Sequence, residues 1–195
     1  MIHVSALGGG RARLVTGFDG PVAEVAEELA RLAADEVPSV AAIAGRCVGP
    51  AFELALACDL RLAADSAIVS ADGVVDVTGC ARRLARLLGE ARAKDLLLTG
   101  RAVGAAEALR LGVVTRVVPA AGLDAAARAA AELIGAGAPL AVRAARHAIA
   151  RVRDLTPARA LAEEHDHVRR LIQTRDHTTA VAAFLARRPA TFTGE

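Results

Sequence analysis

The chain has 195 residues, of which 54% are hydrophobic and 24% charged, and its formal net charge is +2. At this length about 70% of the unfolded surface can be buried, so one soluble domain can form without disulfides or a structural metal. The balanced charge, together with four Phe and no Trp or Tyr, excludes a dedicated nucleic-acid binder, which needs a basic surface and aromatic platforms.

The three cysteines, Cys47, Cys58 and Cys80, follow no CxxC spacing. A disulfide framework and a cysteine zinc site are therefore excluded, and we expect no metal. No segment approaches 18 uninterrupted apolar residues, and the arginines near the N-terminus are not followed by an apolar run. We expect a cytoplasmic protein without a signal peptide or membrane span.

The first half of the chain alternates predicted strands and helices. Residues 2–7 are a short apolar run that ends in three glycines, which predicts a strand and a loop. Apolar positions from Val22 onward recur at helical spacing, and this helix should end before Pro38. The run at 39–44, "SVAAIA", predicts a buried strand, and the glycine turn "GRCVGPAFEL" follows it at 45–54.

Helices dominate the second half. After a helix in "AFELALACD", the segments "LRLAA" and "AIVS" predict strands, and 80–98 predicts paired helices rich in Leu, Ala and Arg. The β-branched segment "VVTRVVP" at 113–119 predicts a strand. Pro139 and Pro157 occupy positions typical of the first turn of new helices.

Three ordered motifs carry a family resemblance. They are "PSVAAIAGRCVGPAFELALACDLRLAADSAIVS", "LLLTGRAVGAAEALRLGVVTRVVP" and "AVAAFLARRPATFTGE". This series resembles the crotonase superfamily, the enoyl-CoA hydratase and isomerase family, from Val37 to the C-terminus. The resemblance implies an α/β fold, a crotonase-like spiral of β-β-α units (residues 1–135) followed by a helical C-terminal region (136–195). At 2–19 the match is less faithful, with 16–19 in the position of the family's Ala-Gly-Ala-Asp loop, so we expect an N-terminally shortened member.

The resemblance implies that two backbone N–H groups polarise the thioester carbonyl of an acyl-CoA. Phe18 would supply the first donor, and the second position of the family motif is occupied by Pro50, which has no backbone N–H. Loss of one such donor typically costs 10²- to 10³-fold in rate, about 3 kcal/mol. Alternatively the turn is displaced by one residue, and the Ala51 N–H replaces the missing donor.

Glu53 matches the first of the two glutamates with which hydratases activate water and deliver a proton. A carboxylate in the first turn of a helix facing an apolar crevice is a reasonable general base, although it can equally be a carboxylate that only complements the helix dipole. The second acid has no clean counterpart. Of Asp72 and Asp76, Asp76 is the better catalytic candidate, and a turn aspartate is the competing interpretation.

Other candidate sites are weaker. Arg11 and Arg13 lie next to the first loop and are candidates for holding CoA phosphates, with ordinary surface arginines as the alternative. His165 and His167, two residues apart on a predicted helix, point in different directions and do not indicate a metal site. His147 and His177 each stand alone on a predicted helix. The triple glycine at 8–10 lacks the spacing of nucleotide-binding loops.

The function expected from the resemblance is that of an acyl-thioester enzyme, which hydrates or isomerises an enoyl-CoA or carries out a related enolate reaction. Coenzyme A would be part of the substrate, and no separate cofactor is expected. The alternatives are a specialised biosynthetic enzyme with changed chemistry and a non-catalytic partner protein. The resemblance also implies a homotrimer or a hexamer.

Overall fold

The structure is a computed structural model that describes residues 3–7, 9–17, 22–73, 79–151 and 154–195. Within these residues the strands are β1 (His3–Leu7), β2 (Ala12–Thr16), β3 (Ser39–Ile43), β4 (Arg46–Val48), β5 (Leu60–Ala64), β6 (Ile68–Ser70), β7 (Val103–Gly104) and β8 (Arg116–Val118). The helices are α1 (Val22–Ala34), α2 (Pro50–Ala57), α3 (Cys80–Leu88), α4 (Glu90–Thr99), α5 (Ala105–Leu111), α6 (Leu123–Gly135), α7 (Pro139–Arg151), α8 (Pro157–Leu171) and α9 (Arg175–Leu185), with a short 3-10 helix at Ala120–Gly122.

The larger sheet has the strand order β1-β2-β3-β5-β8. β1 pairs with β2 in antiparallel fashion, while β2, β3, β5 and β8 run parallel to one another. All five residues of β3 are buried, as expected for a central parallel strand covered on both faces. Helix α6 packs on this sheet through Ala127 and Ala131, which are fully buried.

A smaller sheet, in the order β4-β6-β7, carries the chain from β3 to α2. β4 pairs in parallel with β6, with Cys47 opposite Val69. Helix α2 packs against α1, α3 and β4, and residues 51–56 are all buried. The second helix is therefore a core element, and its start is fixed by the short strand before it.

The C-terminal helices are mostly exposed. Helices α7 and α8 bury none of their residues, and large apolar side chains on α8 and α9 face outward, including Phe184, which is 81% exposed. Among the described residues no single helix is long and apolar enough to cross a membrane. The helical segments Ala120–Gly135 and Pro139–Arg151 together reach the required length and apolar composition, but they are bent by 105° relative to each other.

The strand predicted over residues 2–7 is confirmed as β1 (His3–Leu7), but the strand that follows it was not predicted. A second strand, β2, follows a turn in which Gly9 and Gly10 have φ values of 68° and 84°, and β2 ends at Thr16. The expected strand over 113–119 is also shorter, since Gly112 ends α5 in a left-handed conformation and the Val113 N–H still bonds to the Ala108 carbonyl. Strand pairing starts only at Arg116.

Candidate active site

A crevice lies at the carboxyl edge of the larger sheet. β2 and β3 run parallel, so the residues that follow them, Gly17 and Ala44, reach the same edge. Together with Arg46, Cys47 and Leu123 they line a cavity of about 390 Å³. Open α/β sheets bind ligands outside the carboxyl ends of their strands. The sequence analysis gave no role to the exposed Arg46, whose only signal was its place inside the glycine motif.

The turn between β4 and α2 requires glycine at position 49. Gly49 has φ 59° and ψ −127°, a conformation that side chains with a Cβ rarely adopt. A Cβ there would lie 3.0 Å from the Asp72 carbonyl oxygen. The Gly49 N–H donates to the Ser70 carbonyl at 3.1 Å, and the Gly49 carbonyl accepts the Glu53 N–H at 3.1 Å. One glycine therefore connects β6 to the first turn of α2.

Pro50 is the first helical residue of α2. Proline fits this position because its φ is already helical and the first N–H groups of a helix have no partner within the helix. The Ala51 and Phe52 N–H groups make no hydrogen bond to any residue that the structure describes. The start of α2 thus lacks the donor of Pro50 and retains two donors directly after it.

Glu53 lies in the first turn of α2 and is only 3% exposed. Its neighbours along the helix, Phe52 and Leu54, are buried apolar side chains. Burial removes water from the carboxylate, whereas the helix start stabilises its negative charge. A carboxyl group in such surroundings can exchange a proton with a bound molecule.

The second acid and the first backbone donor are not located by the structure. Asp76 and Phe18 lie outside the described residues, so their roles stay predictions. Asp72 is described, and its main chain touches Gly49 at the start of α2. Its exposed side chain is directed toward Gly100, where a Cβ would lie 3.3 Å from the carboxylate Oδ1.

Arg11 and Arg13 lie on the amino side of β2, before the strand reaches the carboxyl edge. The Arg11 guanidinium donates to the Phe192 carbonyl at 2.6 Å, which connects the β1–β2 turn to the C-terminal tail. Arg13 forms an ion pair with Asp35. The structure therefore does not bring either arginine to the crevice, and their proposed contact with CoA phosphates stays a prediction.

The histidines show one contact that the sequence analysis missed. His147 on α7 and His167 on α8 approach edge to face with ring centroids 5.3 Å apart, so His147 does not stand alone. Within the described parts of the chain, no three His, Cys, Asp or Glu side chains are grouped so that they could share a metal ion.

Comparison with known proteins settles the family. The sequence profile of the enoyl-CoA hydratase/isomerase family matches residues 16–195. The chain belongs to this family. Membership of the crotonase superfamily, predicted from the three motifs, is thereby confirmed.

Two curated relatives show how much of the family's usual length is covered. A probable enoyl-CoA hydratase of Mycobacterium bovis is 40% identical over 167 residues, which are 84% of this chain and 65% of the relative. The human mitochondrial enoyl-CoA hydratase domain-containing protein 2 is 40% identical over 172 residues, covering 84% of this chain and 59% of the relative. The chain therefore spans less than two thirds of the length of these relatives.

Solved structures confirm the predicted fold class. The enoyl-CoA hydratase of Bacillus anthracis superposes with a TM-score of 0.82 at 34% identity, covering 89% of this chain and 69% of that one. A Mycobacterium abscessus structure named for the enoyl-CoA hydratase/isomerase family has a TM-score of 0.84 at 26% identity and covers 100% of this chain and 99% of that one. The mixed α/β architecture is that of the crotonase fold. The division into residues 1–135 and 136–195 stays a prediction.

Proposed function

We propose that the chain is a CoA-thioester enzyme of the crotonase kind that hydrates or isomerises an enoyl-CoA, with Glu53 as the general acid and base. The observation that carries the proposal is the placement of Glu53. It is a buried carboxylate in the first turn of α2, directly after the Gly49 turn. Family membership supports the thioester substrate.

In hydration, the Glu53 carboxylate accepts a proton from water while the oxygen adds to the β-carbon of the enoyl group. The electron pair of the double bond moves toward the thioester, whose oxygen becomes negative. The protonated Glu53 then delivers a proton to the α-carbon, which restores the thioester and returns Glu53 to the carboxylate. Backbone N–H groups lower the barrier by stabilising the oxygen while it is negative.

Pro50 sets the expected rate of this reaction. The family position for one donor has no N–H here, so the negative oxygen relies on Phe18 and on any help from Ala51. We therefore expect slow turnover of simple enoyl-CoA substrates, by about 10²- to 10³-fold relative to a site with both donors.

The first test measures binding and turnover separately. Coenzyme A and a saturated acyl-CoA at 100 times their dissociation constants should each add about 2.7 kcal/mol to the free energy of unfolding, seen as a thermal shift. Hydration of a short enoyl-CoA is followed by the loss of the conjugated thioester's ultraviolet absorbance. The absence of both a shift and turnover would remove the proposal.

Glu53→Gln is the decisive variant, and Glu28→Gln is its matched control. Both residues are buried helical glutamates, at 3% and 8% exposure, but Glu28 lies on α1. We expect Glu53→Gln to retain the acyl-CoA thermal shift and lose turnover, whereas Glu28→Gln retains both. Equal activity of the two variants would show that Glu53 has no catalytic role.

Pro50 also favours a second candidate function, a specialised biosynthetic member of the family with changed chemistry. Such an enzyme would bind a thioester in the same crevice but would not depend on two oxyanion donors. Strong thermal shifts with acyl-CoA, combined with no hydration even after Pro50→Gly, would support this function over the first.

We also propose that the chain works in the cytoplasm as a homotrimer or a pair of trimers. The outward apolar side chains of α8 and α9, such as Val168 and Phe184, support association because water would otherwise contact them. Light scattering at micromolar concentration tests this, and a monomeric mass would contradict it.

A further inference from the structure

We propose that Arg61 is a positioning residue that fixes the helix carrying Glu53, an inference that rests on the proposed function. Arg61 lies on β5 and is only 6% exposed. Its Nε donates to the Val113 carbonyl at 2.7 Å, and its Nη1 donates to the Cys58 carbonyl at 2.5 Å and the Ala55 carbonyl at 3.5 Å. Burial lowers the pKa of this guanidinium, so its place in the core depends on these acceptors.

Two of the three carbonyl partners of Arg61, Ala55 and Cys58, belong to the end of α2 and to the residue that follows it. Carbonyls in the last turn of a helix have no partner within the helix, and together they carry partial negative charge. Ala55 lies in the last turn of α2, and Cys58 caps it. The Ala55 carbonyl already accepts the Cys58 N–H at 3.2 Å, so the buried cation mainly satisfies the Cys58 carbonyl and complements the helix dipole.

Arg61 is itself held firmly. Its strand pairs with β3 and β8 in the larger sheet. The Arg61 carbonyl accepts the Thr115 N–H and the Thr115 hydroxyl, each at 2.8 Å, while its side chain bonds to Val113 in the same loop. The residue therefore connects the sheet, the loop after α5 and the end of α2.

Helix α2 is short enough to move as one body. It has eight residues, and an α-helix of that size is about 12 Å long and has few turns in which to bend. Arg61 holds one end and Gly49 the other, with Glu53 between them. A shift of about 1 Å in a reacting group can cost 10²-fold in rate, so loosening the Arg61 contacts should slow catalysis without removing any substrate contact.

Arg61→Lys tests the inference. Lysine keeps the positive charge but cannot direct separate donors at Val113 and at Cys58 in one rigid plane. We expect kcat to fall about 10²-fold with KM changed by less than about threefold. We also expect faster amide hydrogen exchange across residues 47–54, which cover the end of β4, the Gly49 turn and the first half of α2.

Arg146→Lys is the matched control. Arg146 also donates to several acceptors, the Asp59 carboxylate and the carbonyls of Asp35 and Leu32, but these partners do not belong to α2. The Arg146→Lys variant should lose comparable hydrogen bonds, and its kcat should stay within about threefold of the wild-type value. Both variants are measured well below their unfolding temperatures, in the wild-type chain and in the Pro50→Gly chain.

Thr115→Val gives a milder change if Arg61→Lys does not fold. It removes only the hydroxyl bond to the Arg61 carbonyl, and we expect kcat to fall in the same direction by about threefold or more. A kcat equal to that of the wild-type chain in Arg61→Lys, or in Thr115→Val where Arg61→Lys does not fold, overturns the inference whatever the amide hydrogen exchange shows. An equal fall in Arg146→Lys also overturns it. If the wild-type and Pro50→Gly chains turn over no enoyl-CoA, the proposed function fails, and unchanged exchange at 47–54 alone would then refute the positioning role.

Discussion

Pro50→Gly should raise the turnover of enoyl-CoA. The substitution restores a backbone N–H at the first residue of α2, next to the turn in which Gly49 adopts φ 59°. One oxyanion donor is typically worth 10²- to 10³-fold in rate, about 2.7–4 kcal/mol. We expect a gain in kcat that approaches 10²-fold.

The same substitution should lower the free energy of unfolding. Proline restricts the unfolded chain, and glycine has more conformational freedom to lose on folding, so the cost is about 1 kcal/mol. Because Pro50 occupies the first helical position, where no intrahelical hydrogen bond is expected, no further penalty follows. Urea denaturation measures this cost, and the ultraviolet assay of enoyl-CoA hydration measures kcat and KM.

Pro50→Ala separates the donor from flexibility. Alanine also supplies an N–H but leaves the backbone less free than glycine does. Both variants should therefore gain activity, and Glu53→Gln in either background should abolish the gain. If neither variant changes kcat while Glu53→Gln destroys activity, the reasoning is refuted, and the Ala51 N–H or a water is the donor.

Three further predictions concern stability and are checked by chemical denaturation. Gly49→Ala should cost at least about 1–3 kcal/mol because of its positive φ, and more because a Cβ would lie 3.0 Å from the Asp72 carbonyl oxygen; an unchanged midpoint would show that the turn can rearrange. Burial raises the pKa of the Cys58 thiol to about 12 from 9.0. Between pH 9.0 and about 12 the thiol keeps its proton in the folded chain but loses it in the unfolded chain. The free energy of unfolding should therefore fall with rising pH by up to about 1.4 kcal/mol per pH unit, and Cys58→Ala should reduce that slope. Asp176→Asn should cost about 1–3 kcal/mol, since the carboxylate accepts the N–H groups of Thr193 at 2.7 Å and Gly194 at 2.9 Å on separate oxygens, and an amide has only one oxygen; equal stability would show that the tail contributes nothing.

Much of the secondary structure could be predicted from the sequence because its signals are local. The apolar spacing from Val22 gives α1, the buried run at 39–43 gives β3, and Pro139 and Pro157 mark the starts of α7 and α8. The β1–β2 turn was missed, since Gly9 and Gly10 were interpreted as part of a loop rather than as a turn between two paired strands. That hairpin is local in sequence, since Leu7 pairs with Ala12. The parallel pairs, such as Leu62 with Arg116, join distant segments, which a local pattern does not contain.

The sequence by itself determined the chemical groups at the start of α2. Proline has no N–H in any fold, and Glu53 stands three residues after it in a motif that specifies the family. Only the tertiary structure decided what the arginines do. Arg11 and Arg13 were candidate phosphate ligands, but Arg11 donates to the Phe192 carbonyl and Arg13 forms an ion pair with Asp35. Arg61 was given no role from the sequence, yet it lies buried against the end of α2. An arginine's role depends on which acceptors the packed chain places around it, and these acceptors come from segments up to 181 residues away in the sequence.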